Sequence, residues 1–125
     1  MVATFLSPAW FDQVNEAARA DGGLRAATAG ARVTVQQVVT GGPDGDVRYW
    51  LELDDGAVRV VAGTAPSPDA TVTQSWDTAA AVRAGRLRIE EALAAGHIRL
   101  AGDLGTLARH QGALRSVAAA VGDAA

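Results

Sequence analysis

Apolar residues recur at helical spacing near the start of the chain. Ser7-Pro8 is expected to open this helix, because serine can cap the free backbone N–H groups and proline suits the first turn. The run Asp21-Gly22-Gly23 is expected to end it. The apolar positions on one face are Trp10, Phe11, Val14, Ala17 and Ala18. This pattern predicts a helix packed by one side on a core.

The next three segments alternate between apolar and polar residues with a period of two. They cover residues 31–40, 47–54 and 58–62, and such alternation is typical of strands with one buried face. The glycine-rich run 41–45 and the pair Asp55-Gly56 separate them and favour turns. The pattern therefore predicts an antiparallel meander of three strands.

The rest of the chain mixes short helices and strands. A loop at residues 65–69 precedes a short strand at 70–74, a helix capped by Ser75, a second short helix, a strand at 97–101 and a last helix capped by Asp103. The predicted order is α-β-β-β-β-α-α-β-α, with all helices on one face of one sheet. The helices between the fourth and fifth strands imply that these strands run parallel if they are neighbours.

The last helix carries a long apolar stripe with one polar member. Gly112 interrupts the helix and costs about 1 kcal/mol relative to alanine, so the helix is expected to loosen and act as a lid. The stripe consists of Leu104, Leu107, Gln111, Leu114, Ala118 and Val121.

Composition narrows the class of protein. The 125 residues fit one domain, residues 1–125, and 49% hydrophobic with 20% charged residues is a globular composition. There is no cysteine, which excludes disulfides and thiolate metal sites. A net charge of −3, with arginines spread along the chain, argues against nucleic-acid binding. The sequence shows no long apolar run and no leader-like start, so we expect no stable membrane insertion and a cytoplasmic location.

Residues 68–107 resemble the C-terminal half of sterol carrier protein-2-like domains. The resemblance extends to the Trp10 helix and the meander, so it covers nearly the whole chain. All 11 basic residues other than histidine are arginines, which, with heavy alanine and glycine usage, indicates a bacterial member. The matching segments are Asp69-Ala70-Thr71-Val72-Thr73, Trp76-Asp77, Gly85-Arg86-Leu87 and the continuous run from Ala92-Leu93 through Gly96-His97-Ile98-Arg99-Leu100 to Gly102-Asp103-Leu104.

The resemblance implies an α+β fold in which a five-stranded, mainly antiparallel sheet carries helices on one face, with an apolar tunnel between the layers. Members of the family bind sterols, fatty acids, acyl-CoA or other lipids, and some are accessory or dimerisation domains. We therefore expect non-catalytic binding or carriage of an apolar small molecule or lipid. We expect no cofactor, no metal, and a monomer or weak homodimer.

The expected ligand-binding residues are apolar wall positions and two amides. Gln37 shares a strand face with valines and Gln111 lies in the last apolar stripe, so either amide could bind a ligand head group or a water, or instead bond to nearby backbone. Trp50, on the polar side of its strand, either packs under a loop or marks a dimerisation face. The wall candidates are Val33, Val35, Leu51, Leu53, Val60, Trp76, Leu107 and Leu114.

Two other functions stay open. One is an interaction or dimerisation module that holds no ligand, and the other is a cofactor-independent isomerase acting on an apolar substrate. The sequence contains no nucleophile elbow, zinc-protease motif or phosphate loop, so we expect no enzyme. The side chains available for catalysis are His97, His110, Tyr49, Asp103 and Ser75.

Overall fold

The computed structural model describes the backbone of residues 6–124 and the side chains of residues 6–117. The side chains of Ala118 and Val121, two members of the predicted last stripe, lie outside this part. The strands are β1 (Arg32–Gly42), β2 (Gly45–Asp54), β3 (Ala57–Ala62), β4 (Ala70–Ser75) and β5 (Ile98–Gly102). The helices are α1 (Pro8–Ala20), α2 (Gly22–Ala27), α3 (Trp76–Arg83), α4 (Ile89–Ala94), α5 (Leu104–Arg109) and α6 (Gln111–Ala124).

The five strands form one sheet in the order β3-β2-β1-β4-β5. The pairs β1–β2, β2–β3 and β4–β5 are antiparallel and β1–β4 is parallel. The predicted α+β class, the mainly antiparallel sheet and the three-strand meander are confirmed. Strand pairing continues to Gly42 opposite Gly45, so the turn is shorter than the predicted loop at 41–45.

The expectation that the fourth and fifth strands run parallel is wrong. They are neighbours, with Val72 opposite Leu100, but they are antiparallel. Two helices, α3 and α4, lie between them, and the second returns the chain to the end of the sheet from which the first departed. The parallel pair is instead β1–β4, with Gln37 opposite Val72, which follows from a crossover at residues 63–69.

The start of the chain forms two helices where one was predicted. The Ser7 hydroxyl caps α1 by accepting from the Trp10 backbone N–H at 3.3 Å. Asp21 ends α1 and also caps α2, its carboxylate accepting from the Leu24 N–H at 2.9 Å. The six residues of α2 begin with two glycines, which are poor helix formers, and this is why the helix was not predicted.

The last helix is divided at His110, not interrupted at Gly112 as predicted. The His110 backbone N–H donates to the carbonyls of Thr106 and Leu107, both at 3.2 Å, and so closes α5. Asp103 caps α5 as predicted, accepting from the Thr106 N–H at 3.0 Å. Gly112 lies inside the first turn of α6. The lid role of this region stays a prediction.

The helices pack on one face of the sheet through two groups of buried side chains. Because Val33 lies opposite Leu53 and Val35 opposite Leu51, the apolar positions of neighbouring strands point to the same side. The first group contains Leu6, Trp10, Phe11, Val14, Val39, Val60 and Ala79. The second contains Leu24, Ala31, Val33, Val35, Leu53, Val58 and Val117.

The crossover at residues 63–69 runs along the opposite, outer face of the sheet. Gln36 points to this face and is only 5% exposed, because the crossover covers it. Its amide oxygen accepts from the Ala65 N–H at 2.7 Å, and its amide nitrogen donates to the Gly63 carbonyl at 3.1 Å. Trp50 lies half-buried beside Gly63, its ring 3.7 Å from where a Cβ on that glycine would stand. This position matches the expectation that Trp50 packs under a loop.

Candidate ligand-binding cavity

A cavity of about 1020 Å³ lies between the inner face of the sheet and the helices. All five strands contribute to its floor, and its roof comes from α1, α3, α4, α5 and α6. It borders both groups of core side chains. The floor consists of Val35, Gln37, Tyr49, Leu51, Val60, Val72, Gln74, Ile98 and Leu100. Roof positions include Trp10, Ala79, Val82, Leu93, Leu104, Leu107, Leu114 and Val117.

The cavity reaches solvent at an apolar rim. Among the described residues, the four large hydrophobic side chains that are exposed all line this cavity. Exposed apolar side chains are common singly, but a contiguous group marks a surface that binds something. The four are Ile89, Leu93, Leu100 and Leu104, with exposures of 42, 37, 39 and 49%.

Charged side chains occur on the rim but not deeper in the cavity. Arg83, Arg88, Glu90 and Arg115 line the cavity, and all four are exposed. Arg115 lies 3.8 Å from Glu90, a solvated ion pair of the kind that contributes little to stability. The rest of the described lining is uncharged, so the interior resembles hydrocarbon.

Tyr49 shows how little water the interior offers. Burial raises the pKa of its hydroxyl from 10.0 to about 12, because the phenolate would lose its hydration there. Its ring lies 5.4 Å from the ring of Phe11 and 6.3 Å from that of Trp10, measured between centroids. The hydroxyl therefore stays protonated at neutral pH and forms a neutral polar point in an apolar wall.

Two amides also line the floor. Gln37 lies opposite Tyr49 on β2 and opposite Val72 on β4, which places it in the wall as expected. Gln74 lies two residues beyond Val72 on β4, opposite Val39 on β1 and Ile98 on β5. The Gln74 Oε1 atom is buried and has no hydrogen-bond partner in the described part of the chain. Gln74 was not predicted, although its position two and four residues beyond Val72 and Ala70 placed it on the inner face.

The structure brings most of the expected ligand-binding residues together at the cavity. Those that line it are Val35, Gln37, Leu51, Val60, Leu107, Gln111 and Leu114. Gln111 lines the cavity, but its side chain is exposed to solvent, so it is not a buried member of the apolar stripe of the last helix. The residues not predicted include Tyr49, Val72 and Gln74, together with the four apolar rim residues.

Val33, Leu53 and Trp76 do not line the cavity. Val33 and Leu53 are each 2% exposed and fill the second core group, where α2 and α6 close over the sheet. Trp76 packs beside the first core group, and its ring would stand 3.0 Å from a Cβ on Gly42. Alternation gave the correct face for the strand residues, but it does not indicate where along a strand the covering helices touch the sheet.

The side chains named as catalytic candidates mostly have structural partners. Ser75 caps α3, accepting from the Thr78 N–H at 3.1 Å. Hydrogen bonds from Thr106 lower the pKa of the Asp103 carboxyl, which caps α5. A His110 ring nitrogen lies 2.9 Å from the Thr106 carbonyl oxygen, and His97 is exposed. Tyr49 alone of these five lines the cavity.

The described residues form neither a metal site nor a membrane-spanning helix. No group of three or more histidine, aspartate or glutamate side chains there could hold a metal ion. No helix in the same part of the chain has the length and apolar character needed to span a bilayer.

The fold and the cavity define an α+β protein with an apolar space between a sheet and the helices on one face. The profile of the SCP-2 sterol transfer family matches residues 11–115, and the chain belongs to that family. This confirms the resemblance to sterol carrier protein-2-like domains. Comparison with curated proteins gives no match.

Solved structures share the fold at low sequence identity. A crystal structure of sterol carrier protein 2 matches with a TM-score of 0.79 and 22% identity, over 98% of this chain and 100% of that one. A hypothetical protein of Thermus thermophilus matches with a TM-score of 0.77 and 22% identity, over 100% and 93%. Palmitated sterol carrier protein 2 like 2 of Aedes aegypti matches with a TM-score of 0.62 and 22% identity, over 86% and 90%. These likenesses confirm the fold class.

Proposed function

We propose that the protein binds and carries an apolar ligand, such as a fatty acid, an acyl-CoA or a sterol-like lipid, without covalent chemistry. The cavity of about 1020 Å³ carries this proposal. Small-molecule sites usually enclose about 300–1,000 Å³ and are lined mainly by apolar side chains. Membership of the SCP-2 sterol transfer family and the palmitated state of the Aedes aegypti relative support the same class of ligand.

Burial of hydrocarbon supplies enough free energy for useful affinity. Each buried methylene contributes about 0.8 kcal/mol, so a fully buried sixteen-carbon chain gains about 12 kcal/mol. Association costs at least about 4 kcal/mol in lost freedom of motion. The difference is at most about 8 kcal/mol, which corresponds to a dissociation constant of about 1 μM or weaker. No reactive side chain is needed for this result.

The distribution of charge supports one orientation for an anionic amphiphile. Desolvating a carboxylate or a phosphate in an uncharged interior is costly, whereas Arg83, Arg88 and Arg115 stand on the exposed rim. The charged head group therefore stays at the rim while the hydrocarbon part enters between the layers.

Occupancy can be tested by filling the cavity. Val72 is a half-buried residue of the floor, and Thr73 is the next residue and points to the outer face. We expect Val72→Phe to weaken hexadecanoic acid binding at least tenfold and Thr73→Phe, a phenylalanine on the opposite face of the same strand, to leave it unchanged. Displacement of a fluorescent fatty acid would measure both, and equal binding by both variants would contradict the proposal.

A second experiment addresses what the purified protein contains and separates the other functions. Native mass spectrometry and organic extraction are expected to recover co-purified lipid. A protein that retains none, binds no lipid probe and dimerises strongly would be an interaction module instead. Turnover of a steroid or polyketide-like panel, lost in Tyr49→Phe, would instead identify an enzyme.

A further inference from the structure

One buried acceptor in the cavity wall lacks the hydrogen bond that such an atom needs. Within the described residues, Gln74 Oε1 has no partner, although the cavity lies directly beside it. Its neighbours on the adjacent strands are Val39, which is 1% exposed, and Ile98, which is 6% exposed. Neither can donate a hydrogen bond from its side chain. The Gln74 Oε1 atom is therefore a buried acceptor in the cavity wall that neither neighbouring side chain can satisfy.

Gln74 belongs to a group of three neutral polar side chains on one wall. Gln37 is its diagonal neighbour on β1, because Val39 lies directly opposite Gln74. In a parallel pair, the spacing between strands and a rise of two residues place diagonal positions about 8 Å apart, within reach of two long side chains. Tyr49 lies opposite Gln37 on β2, and its raised pKa keeps its hydroxyl protonated. Gln37, Gln74 and Tyr49, here called the polar patch, all line the cavity and carry no charge.

The chemistry of the polar patch selects among apolar ligands. A pure hydrocarbon end leaves the buried Gln74 oxygen unsatisfied, which is unfavourable. A carboxylate cannot donate to that oxygen, and the uncharged interior provides no cation to balance it. An alcohol can donate to Gln74 and also accept from a glutamine N–H or the tyrosine O–H.

We propose that Gln74 accepts a hydrogen bond from a hydroxyl group on the buried end of the ligand, so that the cavity prefers apolar alcohols to matched molecules without the hydroxyl. This inference rests on the proposed function, since it specifies the ligand that the same cavity takes. The alcohol is carried either by an acyl chain or by a fused-ring lipid.

Two matched pairs of probes test the preference by displacement of a fluorescent fatty acid. The first pair is 16-hydroxyhexadecanoic acid and hexadecanoic acid, which share the anionic head and differ only at the buried end. The second is cholesterol and its 3-methyl ether, which lacks the O–H donor. The wild type is expected to bind the hydroxyl-bearing member of at least one pair about five- to tenfold more tightly, the effect of one buried hydrogen bond.

The variant Gln74→Met keeps the length of the side chain but removes its polar atoms. We expect it to lose the hydroxyl preference, so that the two members of each pair bind it with the same affinity. Thr73→Val, a polar-to-apolar change on the outer face of the same strand, is the matched control and should keep the preference. If the circular dichroism melt shows that Gln74→Met does not fold, Gln74→Leu takes its place. The ratio of affinities within each probe pair is then compared between that variant and the wild type.

The outcomes separate the two proposals. A preference in the acyl pair alone identifies a hydroxylated chain as the ligand, and a preference in the sterol pair alone identifies a ring alcohol. A wild type that binds both acids equally and shows no preference in the sterol pair overturns the role of Gln74 but leaves the carrier function intact. Failure of the protein to bind the fluorescent fatty acid or any of the four probes would overturn the carrier function itself.

Discussion

Replacement of Gln36 by leucine should destabilise the protein by detaching the crossover from the sheet. The amide nitrogen of Gln36 donates to the carbonyls of Tyr49 at 2.9 Å, Gly63 at 3.1 Å and Gln37 at 3.2 Å, while its oxygen accepts from Ala65 at 2.7 Å. Leucine is similar in size but can make none of these bonds. The substitution therefore tests the hydrogen bonds more than the packing.

The magnitude follows from the number of bonds. The amide nitrogen has two hydrogens, so Tyr49 and Gly63, with the shorter distances, hold the stronger bonds, and Ala65 adds a third. At about 1 kcal/mol each, the loss is about 3 kcal/mol. Ala65 is only 5% exposed, so water does not readily replace its partner. With an unfolding entropy of roughly 2.1 cal/mol/K per residue, this loss corresponds to a fall in Tm of about 10 °C.

Urea unfolding at 25 °C, followed by far-ultraviolet circular dichroism, measures the effect. Thr34→Val, a polar-to-apolar change on the outer face of the same strand, is the control and is expected to change the free energy of unfolding by less than about 1 kcal/mol. A Gln36→Leu variant as stable as Thr34→Val would refute the idea that this side chain anchors the crossover.

Three further predictions concern single side chains. The Asn15 side chain holds both backbone groups of Val60 on edge strand β3: Nδ2 donates to the carbonyl at 2.8 Å, and Oδ1 accepts from the N–H at 2.7 Å. Asn15→Leu should therefore lower the free energy of unfolding in urea by about 2 kcal/mol and speed hydrogen exchange at the Val60 amide. An unchanged exchange rate would contradict this. Tyr49, the single tyrosine, should titrate near pH 12 by absorbance at 295 nm. Because the unfolded chain releases this proton first, stability should fall as the pH rises from about 10 to about 12, and the fall should be smaller in Tyr49→Phe. Asp103 has a lowered pKa through its bonds to Thr106, so its contribution to stability is present above the ordinary value of 3.8 and is lost as the pH falls through the folded pKa. In Asp103→Asn, the free energy of unfolding should therefore fall less steeply with decreasing pH below 3.8 than in the wild type. An unchanged fall, measured by urea unfolding at several pH values, would contradict this role of Asp103.

Local signals explain which parts of the fold were predictable. The caps at Ser7, Ser75 and Asp103 and the turn at Asp55-Gly56 depend on residues a few positions apart, so the sequence indicates them directly. The inner face of each strand follows from alternation, and Gln37 was placed correctly by that reasoning. Gln74 obeys the same alternation, but the strand carrying it is short and the amide stands at its end, where it is easily taken for a surface residue.

Features that depend on distant contacts were not predictable in this way. Gln36 sits on the polar side of its strand, and nothing in its local sequence indicates that residues 63–69 would cover it. The antiparallel pairing of β4 with β5 depends on how α3 and α4 turn together, and helical periodicity carries no information on that angle. Val33 and Val35 look equivalent in the sequence, yet only Val35 lines the cavity.

The sequence by itself determined the five strands, most of the helices, the inner face of each strand and the family, because caps, turns and periodicity arise from neighbouring residues. Tertiary structure alone decided which strands became neighbours, where the crossover ran and how much space was left between the layers. The physical reason is that these outcomes depend on the distances between elements that are far apart along the chain. The same reason places the buried Gln74 oxygen beside an apolar cavity instead of at the surface of a short strand.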